Sequence, residues 1–573
     1  MSSLGSIGLE NLTSHIVTNL GWVETDQIRY LSCAVSSHQS PHLLKGKRVS
    51  TYARNVPTSI YPRAKNLSTN RLTICVIGRN GVLTLYRSKG ISMETQVSRE
   101  TPLFKNPTFW FYGSSSMAYG IKDNAFAYLL LIYANNCLGV PGYLSGLALA
   151  IAMIWDAITD PVLGHWSDKS NTRIGRRHPF MYVSLLLLPG GFYALFNPVV
   201  AVSGEDAFLY VLALAIIIRT GVTLFEVPCT ALLPDLVKDY DERNRWLALR
   251  HFFGWTGGNG IHAINFFFWL GTYGVVAPTG YAIYGTAGAI TIAIVIVAAS
   301  LGTQRIAASL PQPTETFKFG EMFKEMRQIM ESLKNRNFLA LFSYGLALGA
   351  AGGLGAALYL YNVTYFFEFT TFEVGITAIA VLFSPPVASF FVPRLGRKLG
   401  KKKAAITCLS SRVILYPIPY IAVLNGFWPE LGSIPSIAIY TAFIYTEVVL
   451  GIVGAALLDS MMADIVEDSE RQTSRRSEGL FFATRAFAGK FMSASGILLA
   501  GIIVTAAGLD GIRSVEQVTM EVRFDIATFF LPLYCCLCFL GIGLVNLYKI
   551  DREAHNANLA ALAEKGREKI TES

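Results

Sequence analysis

From Pro107 onward, long apolar runs alternate with short polar connections. The runs fall near 108–134, 143–166, 179–198, 207–236, 246–270, 280–302, 337–367, 373–393, 404–424, 434–462, 477–507 and 524–548. Each is long enough for a helix of about 20 residues across the hydrocarbon core. At this spacing only helices satisfy their own backbone in lipid. The pattern predicts an all-α integral membrane protein with 12 transmembrane helices. Residues 1–105 carry no such run, since the mildly apolar stretch Leu72 to Leu85 is broken by Arg79.

Composition agrees with that pattern. Of 573 residues, 52% are hydrophobic and 15% charged, where soluble chains carry about 25% charged residues. An ordinary cytosolic enzyme, a disordered protein and a fibrous repeat are excluded. The net charge is +9, but residues 1–105 hold 13 Lys/Arg against 5 Asp/Glu, and the remainder is almost balanced. The basic character belongs to the tail, so no nucleic-acid partner is expected. The tail reads as a targeting segment, a disordered cytoplasmic extension, or upstream read-through before a true start at Met93. We favour the last, because everything after Met93 reads as one complete membrane domain. The eight cysteines include no paired CxxC at zinc spacing and imply no disulfide framework. No cofactor is expected.

The connections fix the orientation. Those after the second, fourth, sixth, eighth and tenth runs carry 22 Lys/Arg, including Lys169, Arg173, Arg176 and Arg177 after the second and Lys401, Lys402 and Lys403 after the eighth. The opposite connections carry Arg513 and Arg523. By the positive-inside rule both termini are cytoplasmic. The expected location is the plasma membrane, or the inner membrane of a bacterium. The lipid bilayer is then an obligate partner, and the protein is expected to be monomeric.

The pattern also repeats. Arg173-Ile174-Gly175-Arg176-Arg177 follows the second run, and Arg394-Leu395-Gly396-Arg397-Lys398 follows the eighth. Two six-helix bundles are expected at 106–302 and 337–549, with a cytoplasmic tail at 550–573. Between the bundles, in the loop 303–336, Phe319, Met322, Phe323, Met326, Ile329, Met330 and Leu333 would make one apolar helical face, lying on the membrane or the bundle. Two halves with a central linker suggest the major facilitator fold, whose sites lie near the midplane between the halves.

Charges within the runs carry the functional signal, because a charge at bilayer depth costs several kcal/mol. Lys122 and Asp123 lie in the first run, Asp156 and Asp160 in the second, and Arg219 and Glu226 in the fourth. Arg250 lies in the fifth, and Arg485 and Lys490 in the eleventh. Asp156 and Asp160 are one turn apart on one helical face. Two stacked carboxylates need a cation, a basic partner or a proton. Thr159 adds a hydroxyl beside them, and Arg219, Thr223, Glu226 and Thr230 form one polar stripe. These hard oxygens suit Na⁺ or a proton rather than a soft metal, and Na⁺ at Asp156 and Asp160 is the candidate metal. The competing reading is internal ion pairing, such as Asp156 with Lys490 or Glu226 with Arg250.

The sequence resembles the glycoside–pentoside–hexuronide:cation symporter family of the major facilitator superfamily, the melibiose permease-like transporters. The resemblance is carried by Trp155-Asp156-Ala157-Ile158-Thr159-Asp160-Pro161 with Gly164, and by Arg173–Arg177. It continues at Glu226-Val227-Pro228, at Asp239-Tyr240-Asp241-Glu242-Arg243, and at Arg475-Arg476-Ser477-Glu478-Gly479-Leu480-Phe481-Phe482 before Lys490. It covers roughly 108–507. It implies cation ligands at Asp156, Thr159, Asp160, Thr223 and Glu226. It also implies substrate contacts at Lys122, Asp123, Glu226, Thr230 and Arg250, with Lys490 coupling the two sites. Three departures stand out. Thr159 replaces the Asn frequent in sodium-using members, Glu226 replaces Asp, and Thr230 replaces a Trp that stacks on the sugar. Trp255 and Tyr361 are the candidates for a substitute aromatic surface.

The resulting expectation is a transporter and not an enzyme. A small-molecule substrate, a sugar or glycoside, moves with a monovalent cation, Na⁺ or H⁺. The alternative is a cation-coupled carrier of a lysolipid or other amphiphile, as in distant members of that family. Asp168, Arg173, Arg176 and Arg177 are expected to gate the cytoplasmic side, with Asp168 pairing to Arg176.

Overall fold

The computed structural model describes residues 73–77, 83–89, 92–97, 105–310, 335–473, 478–512, 514–550 and 558. The amphipathic face expected over Phe319–Leu333, the basic residues Arg475, Arg476 and Arg513, and almost all of the tail 550–573 lie outside them. The chain divides into two units, Met1–Lys105 and Asn106–Ser573.

In the first unit, β1 (Thr73–Ile77), β2 (Leu83–Lys89) and β3 (Ser92–Val97) form an antiparallel meander, with Cys75 opposite Leu85 and Tyr86 opposite Thr95. The β-branched content of Thr73-Ile74-Cys75-Val76-Ile77 favours this pleated arrangement. These strands lie within the stretch read as a polar N-terminal extension, and Met93 lies inside β3. Within the Leu72 to Leu85 stretch, the described residues Thr73–Ile77 and Leu83–Leu85 are strand.

In the second unit, ten helices among the described residues are long and apolar enough to cross a membrane. They are α2 (Gly142–Asp168), α3 (His178–Phe196), α4 (Gly204–Leu236), α6 (Pro278–Ala308), α7 (Arg336–Phe366), α8 (Thr371–Leu399), α9 (Lys401–Leu424), α10 (Ile434–Arg471), α11 (Glu478–Ala506) and α12 (Met520–Val545). Two helical stretches interleave with them at the remaining expected places. α1 comprises Pro107–Ser114 and Ser116–Asn124 and continues through the π-helical turns Ala125–Leu129 and Tyr133–Cys137. α5 runs over Tyr240–Ile264 and a π turn at Asn265–Trp269 to Tyr273. Both fall short in apolarity for physical reasons. α1 carries Lys122, Asp123 and Asn124, and α5 carries Asp241, Glu242, Arg243 and Arg245 in its first turns and Asn259, His262 and Asn265 further on.

The two halves pack by the same scheme. α3 packs on α4 and α6, and α2 on α4; in the second half α9 packs on α10, and α7 on α11 and α12. The halves meet where α2 crosses α11 and where α5 crosses α8. The α2–α11 crossing brings backbone onto backbone. A Cβ on Gly501 would fall 2.3 Å from the Gly142 carbonyl oxygen, and one on Gly146 would fall 3.0 Å from the Gly501 Cα. Only glycine permits that approach, which is how small residues join helices inside a membrane.

Candidate functional site

The centre of the molecule is a chain of ion pairs. Asp156, on α2, is 1% exposed. It accepts from Arg219 Nη1 at 3.2 Å, from the Thr223 hydroxyl at 3.0 Å, and from Lys490 Nζ at 2.9 Å. Lys490 also donates to Asp160. The i, i+4 spacing on α2 thus stacks two carboxylates, and one ammonium from α11 bridges them across the half-to-half interface. Arg219 and Thr223 reach Asp156 from α4, and Arg219 also lies over the Phe126 ring at 4.7 Å. Two carboxylates face two cations, so repulsion within the stack is compensated. Pro161 has no N–H for the Ala157 carbonyl one turn back, so that oxygen lacks its ordinary helix partner. Thr159 donates its hydroxyl to the Trp155 carbonyl at 3.0 Å, along its own helix.

A second cluster lies beside the first. Arg250 on α5 donates to Glu226 and, at 2.8 Å, to Thr230 on α4. It donates further to the Ser115 hydroxyl at 3.2 Å, where α1 breaks. Glu226 Oε2 is buried with no hydrogen-bond partner. Lys122 is completely buried and ion-paired at 3.5 Å to Asp123, whose side chain is 44% exposed. Both internal pairings weighed at the sequence level, Asp156 with Lys490 and Glu226 with Arg250, are present. Carboxylates that accept from arginine and lysine can exchange those donors for a small cation or for substrate hydroxyls.

The basic connection after α2 is also ordered. Arg177 is buried and donates to Asp168 at 2.5 and 3.0 Å, to Asp235 at 2.6 Å and to the Ala231 carbonyl at 2.6 Å. Arg176 donates to Asp235 at 2.7 Å. The expected pairing of Asp168 with Arg176 is corrected to Asp168 with Arg177. The longer reach falls to Arg177 because it packs inward between the ends of α2 and α4, whereas Arg173 is exposed. Asp235, just after the apolar part of α4, was missed, though an acid beside a basic loop is a readable signal. The repeat in the second half uses different residues, for there Lys401 grips Asp464 at 2.6 and 2.9 Å.

At the opposite end of the bundle the halves are tied by polar contacts. Asp510 accepts from Asn135 Nδ2 at 2.7 Å and from the Gly142 N–H at 2.8 Å. Tyr361 donates to Asn135 at 3.1 Å, and Asn136 donates to the Tyr365 hydroxyl at 2.5 Å. Tyr361 is fully buried in this tie, so it is no aromatic platform. The Trp255 indole N–H donates to the Leu382 carbonyl at 3.1 Å, joining α5 to α8. The in-run charges Arg412 on α9 and Glu447 on α10, which donate and accept as a pair, were also missed. The cost of charge at bilayer depth marks them as clearly as the others.

A family model described as MFS/sugar transport protein matches residues 111–552. The chain belongs to this family. Its relatives include an uncharacterized symporter of Synechocystis, 24% identical, over 78% of this chain and 94% of the relative. The sodium-dependent lysophosphatidylcholine symporter 1 of Mus musculus is 24% identical over 79% of this chain and 87% of that protein. The lactose permease of Lactobacillus helveticus is 24% identical over 76% and 67%. Among solved structures, the nucleoside transporter NupG is similar with a TM-score of 0.56 at 14% identity, covering 78% of this chain and all of that one. A bacterial homologue of the lysosomal transporter Spinster aligns at 0.53 and 12% identity, over 81% of this chain and 99% of that one. These likenesses show the major facilitator fold, and the family carries the expected resemblance to cation symporters.

Proposed function

We propose that the chain is a secondary active transporter in which Na⁺ or H⁺ drives symport of a sugar or glycoside by alternating access. The observation that carries this reading is Lys490 on α11 bridging Asp156 and Asp160 on α2. An ammonium joining two carboxylates across the interface is in the place a monovalent cation needs, so cation binding and the Lys490 bridge exclude one another. Cation ligands are then Asp156, Asp160 and Thr223, with Thr159 and Glu226 nearby. Substrate hydroxyls meet Lys122, Asp123, Glu226, Thr230 and Arg250, and Lys490 transmits occupancy between the two groups. Relatives named as a lactose permease, an isoprimeverose transporter and a putative glycoside/cation symporter support the class.

α1 and α5 complete twelve spans in this reading. The basic connections face the cytoplasm, and the Arg177 network closes and opens that side. The tie through Asp510 is the gate of the other side. The chain acts as a monomer in the plasma membrane. The amphiphile reading is favoured by one observation, the Thr230 hydroxyl at a place where sugar carriers of the resembling family have an indole, and by the lysophosphatidylcholine symporters among the relatives.

The test is uptake into proteoliposomes from a labelled glycoside panel under an imposed Na⁺ or H⁺ gradient in turn. Gradient-driven uptake lost in Asp156→Asn supports the reading and names the ion. Folded protein that moves lysophosphatidylcholine and no glycoside replaces the sugar by the amphiphile.

A further inference from the structure

The first half holds all the carboxylates so far assigned to the substrate, yet the second half buries a charge pair that no step above uses. Arg412 on α9 donates to Glu447 on α10 with their side chains 21% and 7% exposed. An ion pair at bilayer depth gains little over well-packed apolar residues, and charges kept there mark substrate or ion paths.

Its surroundings point to the path. Helix α10, which carries Glu447, packs on α7, and α7 packs on the π-helical turn of α1 that carries Tyr128. The Tyr128 ring meets the Tyr359 ring of α7 edge-on at 5.6 Å and the His262 ring of α5 at 5.7 Å. His262 is 4% exposed, and its Nδ1 is buried with no hydrogen-bond partner. The π-helical turn Ala125–Leu129 carries Tyr128, and such turns recur at functional sites. Asp123 and Tyr128 on α1 and the Glu447–Arg412 pair are thus carried by helices joined through α7, with the Tyr359 and His262 rings against Tyr128.

We propose that Tyr128, His262, Tyr359, Arg412 and Glu447 form a second subsite, which binds an additional hydroxyl-bearing ring of the substrate and so sets selectivity for glycosides longer than one sugar. A hydroxyl donates and accepts at once. The Arg412–Glu447 pair offers an acceptor beside a donor, and the aromatic faces cover the apolar face of the ring. An alkyl tail would use neither the pair nor the open His262 nitrogen.

This inference rests on the sugar reading above, and the experiment separates the two. Full-length protein in proteoliposomes is assayed for uptake of methyl β-D-xyloside, methyl β-D-glucoside, lactose and maltose. The same is done for Glu447→Gln, Arg412→Met and the exchange Arg412→Glu/Glu447→Arg, with melting temperatures recorded. Tyr359→Cys is also alkylated with N-ethylmaleimide, read by peptide mass, with and without each sugar. Expected are a rise of at least tenfold in KM for a transported disaccharide in Glu447→Gln and less than threefold for a monosaccharide. The KM for the cation should stay unchanged, and the transported disaccharide should slow alkylation at position 359 at least fivefold. The charge exchange should restore melting without restoring the disaccharide KM. A wild-type protein that moves no glycoside overturns the sugar reading and this subsite with it. A wild-type protein that moves a disaccharide, with Glu447→Gln keeping its KM or position 359 unprotected, overturns the subsite alone. So does an exchange variant that recovers melting and KM together.

Discussion

The tie at Asp510 permits a quantitative test of alternating access. Its carboxylate follows α11 in the second half, and both its donors, Asn135 Nδ2 and the Gly142 N–H, belong to the first half. Gly142 opens α2, so the carboxylate also faces the positive end of that helix's dipole. These contacts exist only while the halves are together at this end. A hydrogen bond to a charged group is worth about 1.5–3 kcal/mol net. Asn135 Nδ2 keeps a second acceptor, the Val140 carbonyl at 3.0 Å, and water reaches the freed Gly142 N–H. Asp510→Ala should therefore cost the closed form about 2–4 kcal/mol, which shifts the opening equilibrium about 30- to 700-fold. Asp510→Asn keeps a neutral acceptor and should shift it about tenfold or less. Spin labels at Val199→Cys and Phe427→Cys, both highly exposed and in opposite halves, report the separation in a chain whose native cysteines are replaced. A longer distance should gain population in Asp510→Ala and gain less in Asp510→Asn. Distance distributions identical to those of the parent in both variants would refute the reasoning, because the tie would then carry no closure energy.

Three further outcomes are expected. Gly501→Val forces a branched side chain onto the Gly142 carbonyl, so uptake should fall more than tenfold while expression holds; parental uptake would show that the α2–α11 contact is dispensable. Arg177→Gln removes four hydrogen bonds to Asp168, Asp235 and the Ala231 carbonyl, and removing one partner of a largely buried pair costs about 3–5 kcal/mol, so the melting temperature of detergent-solubilised protein should drop by several degrees. An unchanged melting curve would relegate that network to the surface. Lys490→Met should abolish gradient-driven accumulation yet keep measurable substrate counterflow, whereas retained accumulation would remove Lys490 from coupling.

Much of this was readable in the chain because the bilayer imposes a strong period and a high cost on charge. The ten long apolar helices and the stacking of Asp156 on Asp160 follow from spacing alone. What escaped has identifiable causes. α1 and α5 contain π-helical turns at Tyr133–Cys137 and Asn265–Trp269, which a periodicity of 3.6 does not encode. Whether Asp168 takes Arg176 or Arg177 depends on which guanidinium packs inward, and both lie in one loop of basic residues. Tyr361 and Tyr359 are two residues apart on one helix, yet Tyr361 binds Asn135 while Tyr359 meets Tyr128, because residues two apart face different sides of a helix. Asp510 lies in a polar loop where nothing in the sequence marks a partner from the other half. Strands β1–β3 are short segments inside a polar tail, and three strands of five to seven residues make a weak signal beside twelve apolar runs.

The arrangement at Asp156 also says why pairing and ion coupling need not compete as explanations. Without a cation, the stack is balanced by Arg219 and Lys490. Arg219 belongs to the same half as the carboxylates and has almost no exposure, while Lys490 belongs to the other half and is 27% exposed at its side chain. The two counter-charges are therefore unequal. In the proposed motion of the two halves, Arg219 stays with Asp156 inside one half, and Lys490 is the charge whose attachment depends on how the halves are disposed. In the proposed symport, an incoming Na⁺ or proton would need to displace only Lys490, and the ammonium it displaces belongs to the helix that crosses α2 at Gly146 and Gly501. A charge exchanged at Asp160 would thus be felt directly at the α2–α11 interface between the halves. By reciprocity, any substrate that draws Lys490 away from Asp156 tightens cation binding by the same factor by which the cation tightens substrate binding.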